Sequence, residues 1–190
     1  MVLFPLLFLF WAALGQAAVL QVGFEGMVRK AKLIFEGEVI DRRVVVDPQN
    51  RLPFTEVTFA VHDLLKGDPK LTGRTVTLRF LGGRIGGITL SIPGMDYPEV
   101  GERGIYFVRD PEVAYPNPLF GWHQGHFLIR KGLVYTAFGQ PVVEIEEGSS
   151  PPPKLATDEA AGVVTGALTQ GRPPLSLDDF KERVRRILKR

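Results

Sequence analysis

PFTEVTFAVHDLLKGDPKLTGRTVTLRFLGG, from Pro53 to Gly83, is the stretch that decides the fold. Val57, Phe59 and Val61 point one way along it, and Glu56, Thr58, Ala60 and His62 point the other. Beyond a gap holding Gly67, Asp68, Pro69 and Gly73, the apolar Val76, Leu78 and Phe80 alternate with Thr75, Thr77 and Arg79. Period-two alternation in β-branched and aromatic residues predicts two half-buried strands, and the turn formers between them predict a reversal. The pair is expected to be antiparallel and strongly twisted, with one wet face and one dry face.

Upstream, residues 32–46 read as a long strand. Leu33, Phe35, Gly37 and Val39 share one face, and Ile34, Glu36, Glu38 and Ile40 share the other. Gly37 in mid-strand predicts a bulge or sharp bend. Glu36 and Glu38 suit a solvent face better than a catalytic pair. Before this strand, Phe24, Met27, Val28 and Ala31 fall at helical spacing and predict a short amphipathic helix within 22–31. Downstream, LGGRIGG at 81–87 reads as a glycine-rich hairpin, not a phosphate loop, because no Lys-Ser or Lys-Thr follows and the next residues look like strand. RGIYFVR at 103–109 is nearly apolar in its middle and predicts a strand covered on both faces. Residues 110–121, with Pro111, Pro116 and Pro118, read as an irregular loop, and 122–131, 133–137 and 141–146 as a meander of short strands.

The chain has 190 residues, enough for one domain with appendages. Its net charge of +2 does not suggest a nucleic-acid partner, which calls for bases gathered on one face. The absence of cysteine excludes disulfides, disulfide-linked partners, zinc–thiolate sites and thiol catalysis. VLFPLLFLFWAAL at 2–14 carries no charge, is short for a membrane span, and runs into the small residues Gly15 and Ala17. It predicts a signal peptide over 1–17, hence an exported chain, periplasmic or extracellular. The body is expected over 18–148. A linker follows over 149–175, beginning SSPPP, in which Thr157 predicts the cap of a weak helix. The tail over 176–190 reads as an amphipathic helix, with Ser176 as cap, Asp178 and Asp179 in the first turn, and Leu177, Phe180, Val184, Ile187 and Leu188 as one stripe. Arg183, Arg185, Arg186, Lys189 and Arg190 crowd its end. Docking on the core is the favoured reading, and contact with an anionic membrane surface through these bases is the alternative.

The order of these segments has a counterpart. A helix-like start leads to a bent strand opening Gly37-Glu-Val39. A strand closing on Val61-x-x-x-Leu65-Lys66-Gly67 follows, then a VTLRF strand, then a Gly101-Glu102 turn into Ile105, Tyr106 and Phe107. Over roughly 28–108 this resembles the tissue-inhibitor-of-metalloproteinase and netrin-like modules, and exported bacterial proteins of the same barrel type. The resemblance implies an all-β, OB-like antiparallel barrel, closed or partly open, with a short N-terminal helix and a C-terminal amphipathic helix. It also implies action by holding a partner, such as an extracytoplasmic peptidase. The inhibitors chelate the protease zinc through an N-terminal cysteine, and no residue here inherits that role.

No nucleophile elbow is present, and no cofactor is implied. The candidate recognition residues are Tyr115 and Trp122, in or beside the Pro-rich loop, with Gly82, Gly83 and Arg84 of the glycine-rich hairpin. His62, His123 and His126 are the candidate metal ligands, since imidazole binds zinc. They would serve an alternative metal-dependent hydrolase. On a strand, His123 and His126 would point to opposite faces unless Gly125 bends the backbone.

Overall fold

In the computed structural model, Leu33–Val46 (β1) is the strand on which the others assemble. The structure describes residues 20–146, 148, 159–166 and 172–190, so the predicted signal peptide and the SSPPP segment lie outside the described residues. Pro53–Lys66 (β2) pairs antiparallel with β1 along its length, and Thr75–Leu81 (β3) pairs with β2. Val57 faces Leu78 and Phe59 faces Val76. All five of Val57, Phe59, Val76, Leu78 and Phe80 are buried. The bend expected at Gly37 is present, because the β1–β2 register shifts between Glu36 and Gly37 and again between Val39 and Asp41.

The hairpin expected in the glycine-rich stretch forms from Gly83–Ile85 (β4) and Ile88–Leu90 (β5). Gly86 and Gly87 turn it with φ of 54° and 82°. Two successive positive φ values are what a two-residue hairpin needs to match strand twist, and glycine adopts them without steric cost.

Arg103–Val108 (β6) pairs with the other side of β1, and His126–Arg130 (β7) and Leu133–Thr136 (β8) continue outward. The result is a six-stranded antiparallel sheet in the order β3-β2-β1-β6-β7-β8. A closed barrel would join its outer strands. Here β3 and β8 do not pair, so the described sheet is open. Val142–Ile145 (β9) was expected to extend the meander, but it leaves the sheet and pairs with Val163–Thr165 (β10). β10 occupies part of the segment read as a weakly helical linker. Of that segment, residues 149–158 and 167–171 lie outside the described residues.

The sheet buries both faces. On one side Leu33, Phe35, Val39, Phe59, Phe80 and Tyr106 form a core inside the curl of the strands. The Phe59 and Tyr106 ring centroids are 4.6 Å apart, although β2 and β6 are separated by β1. They meet over Gly37 and Gly104, which face each other across β1 and β6. A Cβ on Gly37 would stand 2.9 Å from the Phe35 ring, and one on Gly104 3.0 Å from the Tyr106 ring. These two glycines make room for the aromatic floor.

On the other side the helices Phe24–Lys30 (α1) and Leu177–Lys189 (α2) cover the sheet. Phe24 meets Phe107, Phe127 and Phe180 edge-on, with centroids 5.6–6.0 Å apart. The predicted stripe of α2 is used here: Phe180, Val184 and Ile187 are buried. Ser176 caps the helix, accepting from the Asp179 N–H. This docking overturns the reading of Glu36 as a solvent-face residue. It is 2% exposed, bonded to Arg103 and to Lys181 of α2. Among the described residues no helix is long and apolar enough to cross a membrane.

Candidate functional site

Two left-handed residues in a row build the site. Gly121 has φ 63° and Trp122 φ 60°. For a bulky side chain this conformation costs roughly 1–2 kcal/mol, and surrounding contacts must hold it. They are supplied by Gln124, whose side chain accepts from the Val22 N–H at 2.9 Å and donates to the Leu20 carbonyl at 3.2 Å. The reversal starts a 3₁₀ turn, Trp122–Gly125, that ends on His126.

The turn resolves the histidine question. The turn interrupts the strand between them, so His123 and the extended His126 line one cleft, where a continuous strand would have separated them. Gly125 makes this possible, since a Cβ there would stand 2.4 Å from the Phe120 carbonyl oxygen. The His126 ring stacks on Tyr106 with centroids 4.9 Å apart, and His123 leans on Phe138 at the same separation.

Trp122, His123 and His126 wall a cleft of about 220 Å³. The loop between β5 and β6 supplies the opposite wall with Asp96, Tyr97, Glu99 and Glu102. The Tyr97 hydroxyl donates to the Leu81 carbonyl at 3.1 Å. Glu102 Oε1 accepts from the Tyr106 hydroxyl at 3.2 Å and stands 2.8 Å from His126 Nε2. The imidazole contact has the length of a hydrogen bond but not its direction, and Nε2 makes no other hydrogen bond. Burial, reinforced by the Glu102 charge, pushes the Tyr106 hydroxyl far above its ordinary value, so it remains a donor throughout the accessible pH range.

Compared with known proteins, the chain matches no protein-family model, no curated protein and no solved structure. Its site must therefore be read from its own residues.

Trp122, His123 and His126 are brought together, but His62 is not. It follows the inward-facing Val61 on β2, so it lies on the opposite sheet face from His126, with Glu38 3.7 Å away. The three histidines are therefore not brought together. Among the described residues no group of three or more His, Asp or Glu is arranged to hold a metal ion. Tyr115 lies at a different cleft, of about 230 Å³, beside Phe54 and Arg79, with the Arg109 guanidinium 4.2 Å over its ring.

Gly82 and Gly83 have structural work. Their φ values are 105° and 131°, and a Cβ on Gly82 would sit 2.6 Å from the Tyr97 hydroxyl. Gly82 thus serves the Trp122 cleft at one remove by letting Tyr97 close in. Arg84 is exposed on β4. Sequence reasoning missed Asp96, Tyr97, Glu99 and Glu102. The signal was available: three acids and a tyrosine within seven residues of a loop between strands are well placed for recognition.

Proposed function

We propose that this chain is an exported, non-catalytic binding module, an OB-like barrel left partly open, which holds a protein partner at the cleft around Trp122. The single observation that carries the reading is Trp122, held at φ 60° in the wall of a cleft. A large aromatic in a costly conformation, half-buried beside a concavity, is the arrangement of an interface anchor. The resemblance to inhibitor and netrin-like modules supports the same mode of action and suggests an extracytoplasmic peptidase as the partner.

A photoreactive residue at position 96 tests this. Cross-linking to one partner, lost with Trp122→Ala and kept with Lys70→Ala on the remote β2–β3 connection, is the expected outcome. Capture indifferent to both Trp122→Ala and Tyr97→Ala would remove the site. Peptide hydrolysis by the captured protein, measured with and without saturating module, decides the peptidase part. An unchanged rate removes inhibition.

The membrane reading keeps only part of its basis. The apolar stripe of α2 is buried in the core, so an anionic surface would meet the exposed bases alone.

A further inference from the structure

We infer that the free edge of β3 takes an extended, acid-ended peptide segment of another protein, which adds to the sheet as a strand in the slot between β3 and the Pro-rich loop. This surface shares no lining residue with the Trp122 cleft and does not depend on a partner held there.

The two edges of the open sheet differ. On β8 the backbone is covered: the Val134 N–H donates to the Leu175 carbonyl and the Thr136 N–H to the Gln140 carbonyl. Among the described residues β3 is covered at its end, where the Leu81 N–H donates to the Pro116 carbonyl at 2.7 Å. The Gly82 N–H and the Arg74 carbonyl bond to β2, so the odd-numbered residues between them turn their N–H and C=O groups away from it. Thr75, Thr77 and Arg79 hold these groups out at strand spacing, and none bonds to another backbone group among the described residues. Native edges are commonly blunted by proline, a bulge or a projecting charge. β3 has no proline, and its register with β2 is unbroken. Its charge is drawn back, since Arg79 lies 4.5 Å over the Phe54 ring and pairs with Asp47 at 3.0 Å.

The second observation is the space beside this edge. A cleft of about 230 Å³ lies between Thr77 and Arg79 of β3 and Val113, Tyr115 and Pro118 of the loop, with Phe54 in its wall. Val113 is 46% exposed. An open edge beside an apolar pocket is how extended chains are recognised: main-chain bonds hold the segment, and the pocket takes alternate side chains. An α-helix, about 10 Å across, uses up its own backbone groups and has none to offer the edge.

Charge selects the occupant. Arg74, at the start of the edge, and Arg109, 4.2 Å over the Tyr115 ring, are exposed and form no ion pair among the described residues. The lining sets one acid, Glu112, against them. A second copy pairing edge to edge brings its own Arg74 to this basic surface, whereas a segment with acids at its ends complements it.

The test titrates the full chain with acetyl-Asp-Thr-Val-Thr-Val-Thr-Asp-amide and follows the backbone amides by NMR. Saturable shifts are expected at Thr75, Thr77 and Arg79, with their hydrogen exchange slowed about tenfold or more. Lysine in place of both aspartates is expected to weaken binding about tenfold or more. Two further peptides, N-methylated at the valines or at the threonines, leave the protein unaltered. One should bind and the other not, because alternate N–H groups face the edge. Thr77→Pro removes an outward N–H at an edge position, where a strand tolerates proline, and should abolish binding that Thr77→Val keeps. The inference is overturned if no peptide shifts these amides, if both N-methylated peptides bind like the parent, or if the lysine peptide binds as tightly. It is also overturned if the chain instead dimerises in sedimentation through the Thr77 N–H, which makes a second copy the occupant. Cross-linking at position 96 is expected to survive Thr77→Pro, so the two surfaces stand or fall separately.

Discussion

Lys181 Nζ stands 2.9 Å from Asp63 Oδ2 and so ties the C-terminal helix to the second strand. The same ammonium bonds to Glu36, which also receives Arg103, while Arg185 reaches Asp63 at 2.8 Å. Lys181 and Glu36 are both buried, so this pair lies under the helix, with Arg103 and Arg185 closing the cluster from its exposed edge.

Removing one partner should therefore be far worse than removing both. Lys181→Ala leaves the buried Glu36 with Arg103 as its remaining cation, and is expected to cost toward the lower end of about 3–5 kcal/mol. Lys181→Met combined with Glu36→Leu fills the same space with apolar atoms and should be much nearer to neutral. Urea denaturation midpoints check this. Equal losses in the single and double variants would show that the charges contribute little.

Stability should fall at both pH extremes. Burial pushes the Glu36 carboxyl up, but the Lys181 and Arg103 bonds outweigh it and hold it below its ordinary 4.5. Burial likewise opposes Asp63, and Lys181 with Arg185 hold it below 3.8. These contributions are fully present above the unfolded values and drain away as pH drops through the folded ones. Lys181 runs the other way. Burial lowers it, Glu36 and Asp63 together raise it above 10.5, and its contribution is lost as pH climbs through the raised value. Thermal melts across pH, compared with Glu36→Gln, should show the acid-side loss shrinking in the variant.

Glycines of opposite context should respond in opposite directions. Gly26 lies inside α1 with open space where a Cβ would go, so Gly26→Ala should stabilise by about 0.5–1 kcal/mol. Gly125→Ala would drive a Cβ to 2.4 Å from the Phe120 carbonyl and should destabilise by about 1–3 kcal/mol. It should also displace His123 and His126, which chemical shifts of the imidazole carbons would report.

Trp122→Gly separates stability from recognition. It removes the anchor but relieves a left-handed backbone, so its melting temperature should drop much less than that of Phe59→Ala, for which about 3–5 kcal/mol is expected. Partner capture should nevertheless be lost. An equal drop in both variants would mean that Trp122 is core and nothing more.

The sequence by itself determined the long strands of the main sheet and which of their residues share a face. That information is local. Val57, Phe59 and Val61 alternate with Glu56, Thr58 and Ala60, and a two-residue period leaves no other assignment. It also determined the bend at Gly37, the Gly86-Gly87 turn and the inward stripe of α2, because each is written in residues a few positions apart. Only the tertiary structure decided what covers each face. Glu36 looked like a surface acid until α2, 145 positions further along the chain, brought Lys181 onto it. β9 left the meander because β10 offered it a partner. His62 parted from His126 because the two strands present them to opposite faces of one sheet, while a 3₁₀ turn with Gly125 at its close gathered His123 and His126 opposite Glu102. Such meetings depend on contacts between segments far apart in the chain, and no local period encodes them.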